Sequence, residues 1–457
     1  MVSIWNQEQA QWQLRLEVGG ESSALSLHMG GEGRTLMVSL GGEPTAETAR
    51  RAAAKAVKAL RELGVSSAVL DATPVVPVLG AEGVSALAQG ADLACYHTEH
   101  WKSGPGEEEQ DFALYLTGAQ ALDVPAILAE TAPVTRAVCF ARDLVNRPGN
   151  LLTPELMAKA MTEAAERVGV EVQVLDERET RALGMGAFLA VGGSAAHPPR
   201  LIVLRWRGGQ PDTAPMGLVG KGVCFDTGGY DLKSQAGLKQ MRTDMAGAAA
   251  VCGAVLALAE NRVPVNVTAV IPAVENRISP DSMLPGDVIT SMSGKTIQIN
   301  NTDAEGRLIL ADAVTYAIRK EGVSRVVDIA TLTGACVAAL GHLTAGLVSS
   351  HDGLADAVLA AAARAGEQYW RFPTFPEYKK MLECPAADLS NMSSDGCGAI
   401  TGGLFIGAFA GDTPWAHLDI AGTSFVDRPR REYQAAGATG AGVTTLYQLC
   451  VGLAALP

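Results

Sequence analysis

Leu218-Val-Gly-Lys-Gly-Val-Cys-Phe225 is an apolar run of strand length, and Asp226-Thr-Gly-Gly229 follows it with the chemistry of a turn. A few residues on, Gly247 to Asn261 is rich in Ala, Val and Leu over a helical length. Buried strand, glycine turn and helix in succession is the repeating unit of an α/β sheet. The alternation continues on both sides. Leu201–Trp206, Val265–Ile271, Arg325–Ala330 and Trp415–Ile420 read as further strands, and Glu305–Lys320 and Leu354–Ala365 as helices. Upstream, Thr153-Pro154-Glu155 opens a helix, with Thr as N-cap and Pro at the first helical position. The pattern predicts a mostly parallel central sheet flanked by helices.

The first 150 residues read as a smaller α/β unit. Arg34–Leu40 and Val65–Asp71 are strand candidates around an Ala-rich helix, Thr45–Leu63, that Gly64 stops. This β-α-β order predicts a parallel strand pair. The turn cluster Asn146-Arg-Pro-Gly-Asn150 marks the boundary. The expectation is therefore a two-domain α/β protein. Residues 1–150 form an N-terminal α/β domain, expected to serve assembly or regulation, and residues 151–457 a larger C-terminal domain.

Of 457 residues, 48% are apolar, enough for a large core. Against 36 Lys and Arg stand 49 Asp and Glu, a net charge of −13, which makes phosphate backbones and anionic membranes poor partners. None of the 8 Cys forms a C-x-x-C pair, and their apolar surroundings read as buried, reduced thiols of a cytosolic protein. Met1–Glu8 has neither a basic nor an apolar leader segment. No stretch of about 18 residues is apolar throughout; Val326–Val348 is broken by Asp328 and His342. These features predict a cytoplasmic protein without a membrane partner.

Three acid-bearing, glycine-containing segments stand at strand ends or helix starts: Val219–Ser234, Met241–Gly247 and Asn300–Leu308. Each also has a plain reading. Gly220-Lys221-Gly222 lacks the remaining glycines of a nucleotide loop. Asp244 could cap the helix that follows it. Thr302-x-x-Glu305 has the form of a capping box. Together, however, the segments supply Asp226, Asp244, Asp303 and Glu305 to the edge where open α/β sheets place their ligand crevice. Four crowded carboxylates repel one another, and two divalent cations would balance them. Oxygen-rich ligation suits Mn, Zn or Mg. Lys221 could join them as a neutral donor, its pKa depressed by an adjacent cation. Lys233 and Arg307 are left to face anionic charge developing in a reaction.

These residues make the chain similar to the leucyl aminopeptidase (cytosol aminopeptidase) family. The resemblance rests on Asn301-Thr-Asp-Ala-Glu-Gly-Arg-Leu308, on Lys221-Gly222 to Lys233, and on Met241 to Gly247. It extends through Gly186–Val191, Pro198–Arg200, Ala330–Ala335 and Trp415–Gly422, essentially all of residues 150–450. It implies removal of the N-terminal residue, leucine and similar ones, from peptides by water activated between two divalent ions (Mn or Zn, with Mg or Co as options). One ion would be held by Asp226, Asp303 and Glu305, the other by Lys221, Asp226, Asp244 and Glu305. Lys233 and Arg307 would be the catalytic pair, with bicarbonate on Arg307. Met241, Thr331, Leu332 and Gly334 would line the substrate cleft, and a homohexamer would be the assembly.

The chain departs from the common pattern at Tyr230, Ser234, Arg242-Thr243, Ala246 and the Ser393-Ser394-Asp395-Gly396-Cys397 loop. None of these is a proposed ligand or catalytic residue. A catalytically weak relative acting as a DNA-binding or structural hexamer is the alternative; it predicts lost ligands, and its DNA-binding form is opposed by the −13 charge. A two-metal phosphoesterase would use His, and none lies in the three segments. His97 and His100 read as a surface or interdomain pair, and His417 as a satisfied core histidine.

Overall fold

The computed structural model of the chain describes residues 12–30, 33–98, 101–103, 112–393 and 395–454. It divides into two compact units, Met1–Cys139 with Val426–Gly437, and Phe140–Phe425 with Ala438–Pro457. This division lies a few residues before the turn cluster at residues 146–150. The division falls inside a continuous helix, Val124–Asn146, and a late segment returns to the first unit.

The first unit contains β1 (Trp12–Glu17), β2 (Leu25–Gly30), β3 (Gly33–Ser39), α1 (Ala46–Glu62), β4 (Ser67–Asp71), α2 (Val76–Ala94), β5 (Ala113–Thr117) and the start of α3 (Val124–Asn146). Its sheet order is β2-β3-β1-β4-β5. The strands on either side of α1 are parallel, as expected, but not neighbours: β1 lies between them and is parallel to both. Thr45 caps α1 through a reciprocal box with Thr48, and Gly64 ends it at φ 72°. The return segment is tied to α1 by charge. Arg51 donates to both oxygens of Glu432 at 2.6 and 2.9 Å, and Arg431 pairs with Glu47.

In the second unit the order is α4 (Pro154–Arg167), β6 (Glu171–Leu175), α5 (Glu177–Ala182), α6 (Gly186–Gly192), β7 (Arg200–Arg207), β8 (Met216–Gly220), β9 (Gly222–Asp226), α7 (Gln235–Leu238), α8 (Ala246–Glu260) and β10 (Asn266–Asn276). There follow β11 (Val288–Thr290), β12 (Thr296–Gln298), α9 (Glu305–Arg319), β13 (Arg325–Ala330), α10 (Gly334–Leu340), β14 (Thr344–Ser349), α11 (Asp352–Ala365), β15 (Gln368–Arg371) and α12 (Pro376–Lys380). The last elements are β16 (Leu389–Ser390), α13 (Gly398–Gly407), β17 (Trp415–Asp419), β18 (Phe425–Val426), β19 (Gly437–Ala438) and α14 (Val443–Ala454).

The main sheet runs β15-β14-β17-β13-β8-β10-β7-β6, with β9 continuing beside β10. Its centre, β17-β13-β8-β10, is parallel, whereas β14 against β17, and β7 against both β10 and β6, are antiparallel. Helices α6 and α13 pack on α9, α8 and α11 pack on α14, and α8 and α9 both lie against the central strands. All residues of β10 are buried, as are those of α8 from Ala246 to Ala259. Such a helix, apolar all round, belongs in a core. Two helical stretches, Val124–Asn146 and Met241–Glu260, are long and apolar enough to cross a membrane, but 94% of the second one's most apolar window is buried inside the protein.

The strand expected from Leu218 to Phe225 is interrupted at Lys221. Its N–H bonds to Ile329 O, and its carbonyl accepts the Ala248 N–H at the start of α8. The backbone thus leaves the β10 ladder for two residues, Gly220 and Lys221, without changing register: Val219 faces Val270 and Gly222 faces Ala273. All 8 cysteines are free thiols, but the expectation of general burial holds only for Cys224, Cys252, Cys336 and Cys450; Cys397 is exposed.

Candidate metal centre

The parallel central strands bring their C-terminal ends to one edge, and the candidate residues gather there. The Lys221 side chain passes beneath the first turn of α9, where Gly306 lets it through: a Cβ at that position would lie 2.5 Å from Lys221 Cε. Its ammonium lies 2.8 Å from both oxygens of Asp244, 2.9 Å from Glu305 Oε1 and 3.0 Å from Thr331 O. Asp244 is not the helix cap that it could have been. The N-cap of α8 is Met245, and Asp244 Oδ1 instead accepts the Thr331 hydroxyl at 2.7 Å. The Thr302–Glu305 capping box does not form either: α9 starts without a side-chain cap, and Glu305 turns to Lys221.

Asp226 ends β9, and the turn after it uses Gly228 and Gly229 at φ 86° and 64°, a conformation that suits glycine. This turn brings Lys233 back over the site. Its ammonium is 2.8 Å from Asp226 Oδ2 and also contacts Asp303 Oδ1. One oxygen from each of Asp226, Asp244 and Glu305 lies within 4.8 Å of the others. Asp303 stands outside that trio and joins it through Lys233.

Arg307 is 5% exposed. It donates to Asn391 O at 2.7 Å, while its Nε is buried without a partner. No carboxylate pairs with it among the described residues. Thr331 meets the centre directly. Leu332 N–H is held by Asp419 Oδ1 at 3.1 Å, and Gly334 begins α10 in an exposed turn. Met241 opens a 3-10 turn, Met241–Thr243, that packs against β9. Of the departures noted above, Ser234 caps α7 and Arg242 lies over the Phe425 ring.

The electrostatics are those of a crowded acidic pocket. Burial pushes Asp244 up to about 6 and, with repulsion from Asp226, Glu305 up to about 8. Asp303 is raised for the same two reasons. Burial opposes the charge on Lys221 and on Lys233, but the neighbouring carboxylates outweigh it and hold both amines above their ordinary range. Lys221 is thus an ammonium here, and the neutral donor expected of it requires that proton to leave. Burial lowers Arg307 to about 10.

The residues fit a bound cation. Glu305 Oε2 is buried with no hydrogen-bond partner. Asp244 Oδ2 and Asp303 Oδ1 meet only an ammonium charge, out of hydrogen-bond alignment. Unmatched carboxylate oxygens buried together are costly unless a positive charge meets them.

Some supporting residues had no distinctive motif. Asn276, the last residue of β10, donates to Asp226 Oδ1 at 2.8 Å; its place at a strand end was the available signal. Asn391 accepts the Asn300 N–H at 2.8 Å and donates to Asn301 O at 2.6 Å. His417 is buried with Nδ1 2.5 Å from Asp328, which also accepts the Trp415 indole N–H at 2.6 Å. The expectation of a satisfied core histidine holds for one ring nitrogen only, because Nε2 has no partner. His97 bonds Arg61 at 2.8 Å, and His100 lies outside the described residues.

The chain is similar to known proteins along most of its length. The catalytic-domain model of the cytosol aminopeptidase family matches residues 139–447, and that family's N-terminal domain model matches residues 19–105. A probable cytosol aminopeptidase of Alkaliphilus oremlandii (strain OhILAs) is 43% identical over 412 residues, 88% of this chain and 81% of the relative. Another, of Solibacter usitatus (strain Ellin6076), is 44% identical over 405 residues, 88% and 83% of the two chains. Among solved structures, the bottromycin maturation enzyme BotP in complex with Mn superposes with a TM-score of 0.88 at 33% identity, covering 97% of this chain and 100% of that one. A tomato leucine aminopeptidase mutant gives 0.87 at 31%, covering 99% and 96%. With both domain models matched in order and the acidic residues converging at the sheet edge, the chain belongs to the cytosol aminopeptidase family.

Proposed function

We propose that this protein is a metal-dependent aminopeptidase that removes leucine and similar N-terminal residues from peptides. In this reading Lys221, Asp226, Asp244, Asp303 and Glu305 hold two divalent cations. The observation that carries it is the approach of Asp226, Asp244 and Glu305 oxygens within 4.8 Å in a buried pocket. Mn is the favoured metal, since the BotP structure is described as a complex with Mn; Zn, Mg and Co share its preference for such donors.

When bound, the cations supply Lewis acidity and lower the pKa of water. The protein's own residues do the rest. Asp226 and Glu305 would hold both cations, Asp303 would help to hold one of them, and Asp244 with deprotonated Lys221 would help to hold the other. Asp244 also accepts the free α-amino group of the peptide, which restricts cleavage to the first residue. Lys233, which faces the cleft with 18% of its side chain exposed, stabilises negative charge on the scissile carbonyl oxygen. Arg307, a buried cation that no carboxylate pairs with among the described residues, would hold an anion such as bicarbonate, a group able to accept and return a proton. Met241, Thr331, Leu332 and Gly334 shape the side-chain pocket.

A homohexamer in the cytoplasm accords with the family resemblance, and exposed Trp370 and Phe375 are apolar surface that assembly would cover. The reading as a catalytically weak DNA-binding or structural hexamer is less favoured, because every proposed ligand and both catalytic candidates are present.

The test is hydrolysis of a panel of aminoacyl-anilides after chelation and reloading with Mn, Zn, Mg or Co. Leucyl-anilide should be cleaved only with metal, and an N-acetylated analogue not at all. Metal-independent cleavage, or equal cleavage of the blocked analogue, would overturn the proposal.

A further inference from the structure

We infer that Asn276 is a positioning residue that leaves Asp226 a single oxygen to present to cations; this rests on the metal centre proposed above. Asn276 stands opposite Asp226 in the β9–β10 ladder and is 2% exposed. Its Nδ2 donates to Asp226 Oδ1 at 2.8 Å and to Thr302 O at 3.1 Å. Both partners are acceptors, so the amide must turn its NH2 toward them. Asp226 Oδ1 takes a second hydrogen bond, from Gly228 N–H at 2.8 Å. Two donors occupy the two lone-pair directions of that oxygen. Oδ2 remains, with Lys233 Nζ 2.8 Å away.

Asn276 also joins the segments that build the centre. Its backbone carbonyl accepts the Thr227 N–H and hydroxyl at 2.9 and 2.8 Å, fixing the turn after Asp226. Its bond to Thr302 O fixes the residue before Asp303. Thr302 is itself held, its N–H on Asp231 Oδ2 at 2.7 Å and its hydroxyl on Gly228 O at 2.6 Å. One amide thus sets the orientation of one carboxylate and its spacing from the next. Losing the partner that orients a ligand in this way weakens metal binding by about 10- to 100-fold.

The experiment compares wild type with Asn276→Leu, which keeps the branched shape and loses the donor, and Asn276→Ala, which loses both. Mn binding is measured by calorimetry on chelated protein, the Mn pair by its exchange-coupled electron paramagnetic resonance signal, and kcat and KM on leucyl-anilide. Both variants should bind Mn about 10- to 100-fold more weakly, show isolated Mn signals at stoichiometric loading, and lose kcat more than KM. If either fails to fold, Asn276→Ser, which can donate one bond, takes its place and should fall between wild type and the remaining variant. Variants that bind two Mn with wild-type affinity and coupling would overturn the assignment, as would loss in Ala with full retention in Leu, which indicates packing alone. Wild type that fails to bind a Mn pair would overturn the proposed centre, and this inference with it.

Discussion

Lys233→Ala isolates the charge that the cleft presents to the reacting carbonyl. Lys233 reaches the site from the glycine turn, touches Asp226 and Asp303, and leaves 18% of its side chain exposed. At an effective dielectric of about 20, unit charges about 4 Å apart interact by about 4 kcal/mol. That energy corresponds to about a thousandfold in rate. The interaction strengthens as charge develops on the oxygen, so the loss belongs in kcat, with KM changed by only a fewfold. The assay is steady-state hydrolysis of leucyl-anilide at saturating Mn, with the Mn content of wild type and variant measured alongside. A variant with full metal content and an unchanged kcat refutes the oxyanion role. A raised KM with kcat intact assigns Lys233 to ground-state binding instead.

Gly306→Ala should give a folded protein that binds Mn at least about 10-fold more weakly, since the new Cβ would lie 2.5 Å from Lys221 Cε and 2.7 Å from Nζ; unchanged calorimetric Mn affinity would contradict the placement of Lys221. Glu305→Ala should empty both metal positions, because one side chain is asked to serve both, and two ions found by elemental analysis would contradict the shared role. Asp312, on α9, accepts the Phe188 and Met292 N–H groups at 2.9 and 2.7 Å, and burial raises its carboxyl from 3.8 to about 7. Its folded value lies above the ordinary one, so its stabilising contribution is complete below pH 3.8 and is lost as pH rises through about 7. Asp312→Asn should therefore be less stable than wild type near pH 5, by about 1–3 kcal/mol for the lost acceptor, and the Tm gap should narrow toward pH 8; a gap independent of pH shows that Asp312 is not protonated in the fold.

The catalytic architecture was legible where local chemistry and long-range packing agree. Buried apolar strands and an Ala-rich helix have few other uses, so β8, β10, β13, β17, α8 and α9 could be read directly. The four acids were legible as a group because each falls at a strand end or helix entry. The local backbone path and the hydrogen bonds that hold them in place were not. Lys221 breaks a strand whose sequence is continuous, because its backbone bonds go to β13 and α8, elements distant in the chain. Thr302 and Glu305 match a capping box, but tertiary partners outcompete the local cap: Asp231 and Gly228 take Thr302, and Lys221 takes Glu305. Asn276 and Asn391 belong to no motif, since an amide bridging two acceptors leaves no periodicity. In the first unit, β1 inserts between two strands that local order would pair. The return of Val426–Gly437 depends on ion pairs with α1 nearly four hundred residues earlier, and no local pattern reports that.

The most direct measurement is anomalous diffraction at the manganese edge from crystals soaked in Mn. The account predicts two peaks bounded by Asp226, Asp244, Asp303, Glu305 and Lys221, with Lys233 displaced from the carboxylates it contacts. A single peak, or none among these side chains, would contradict it.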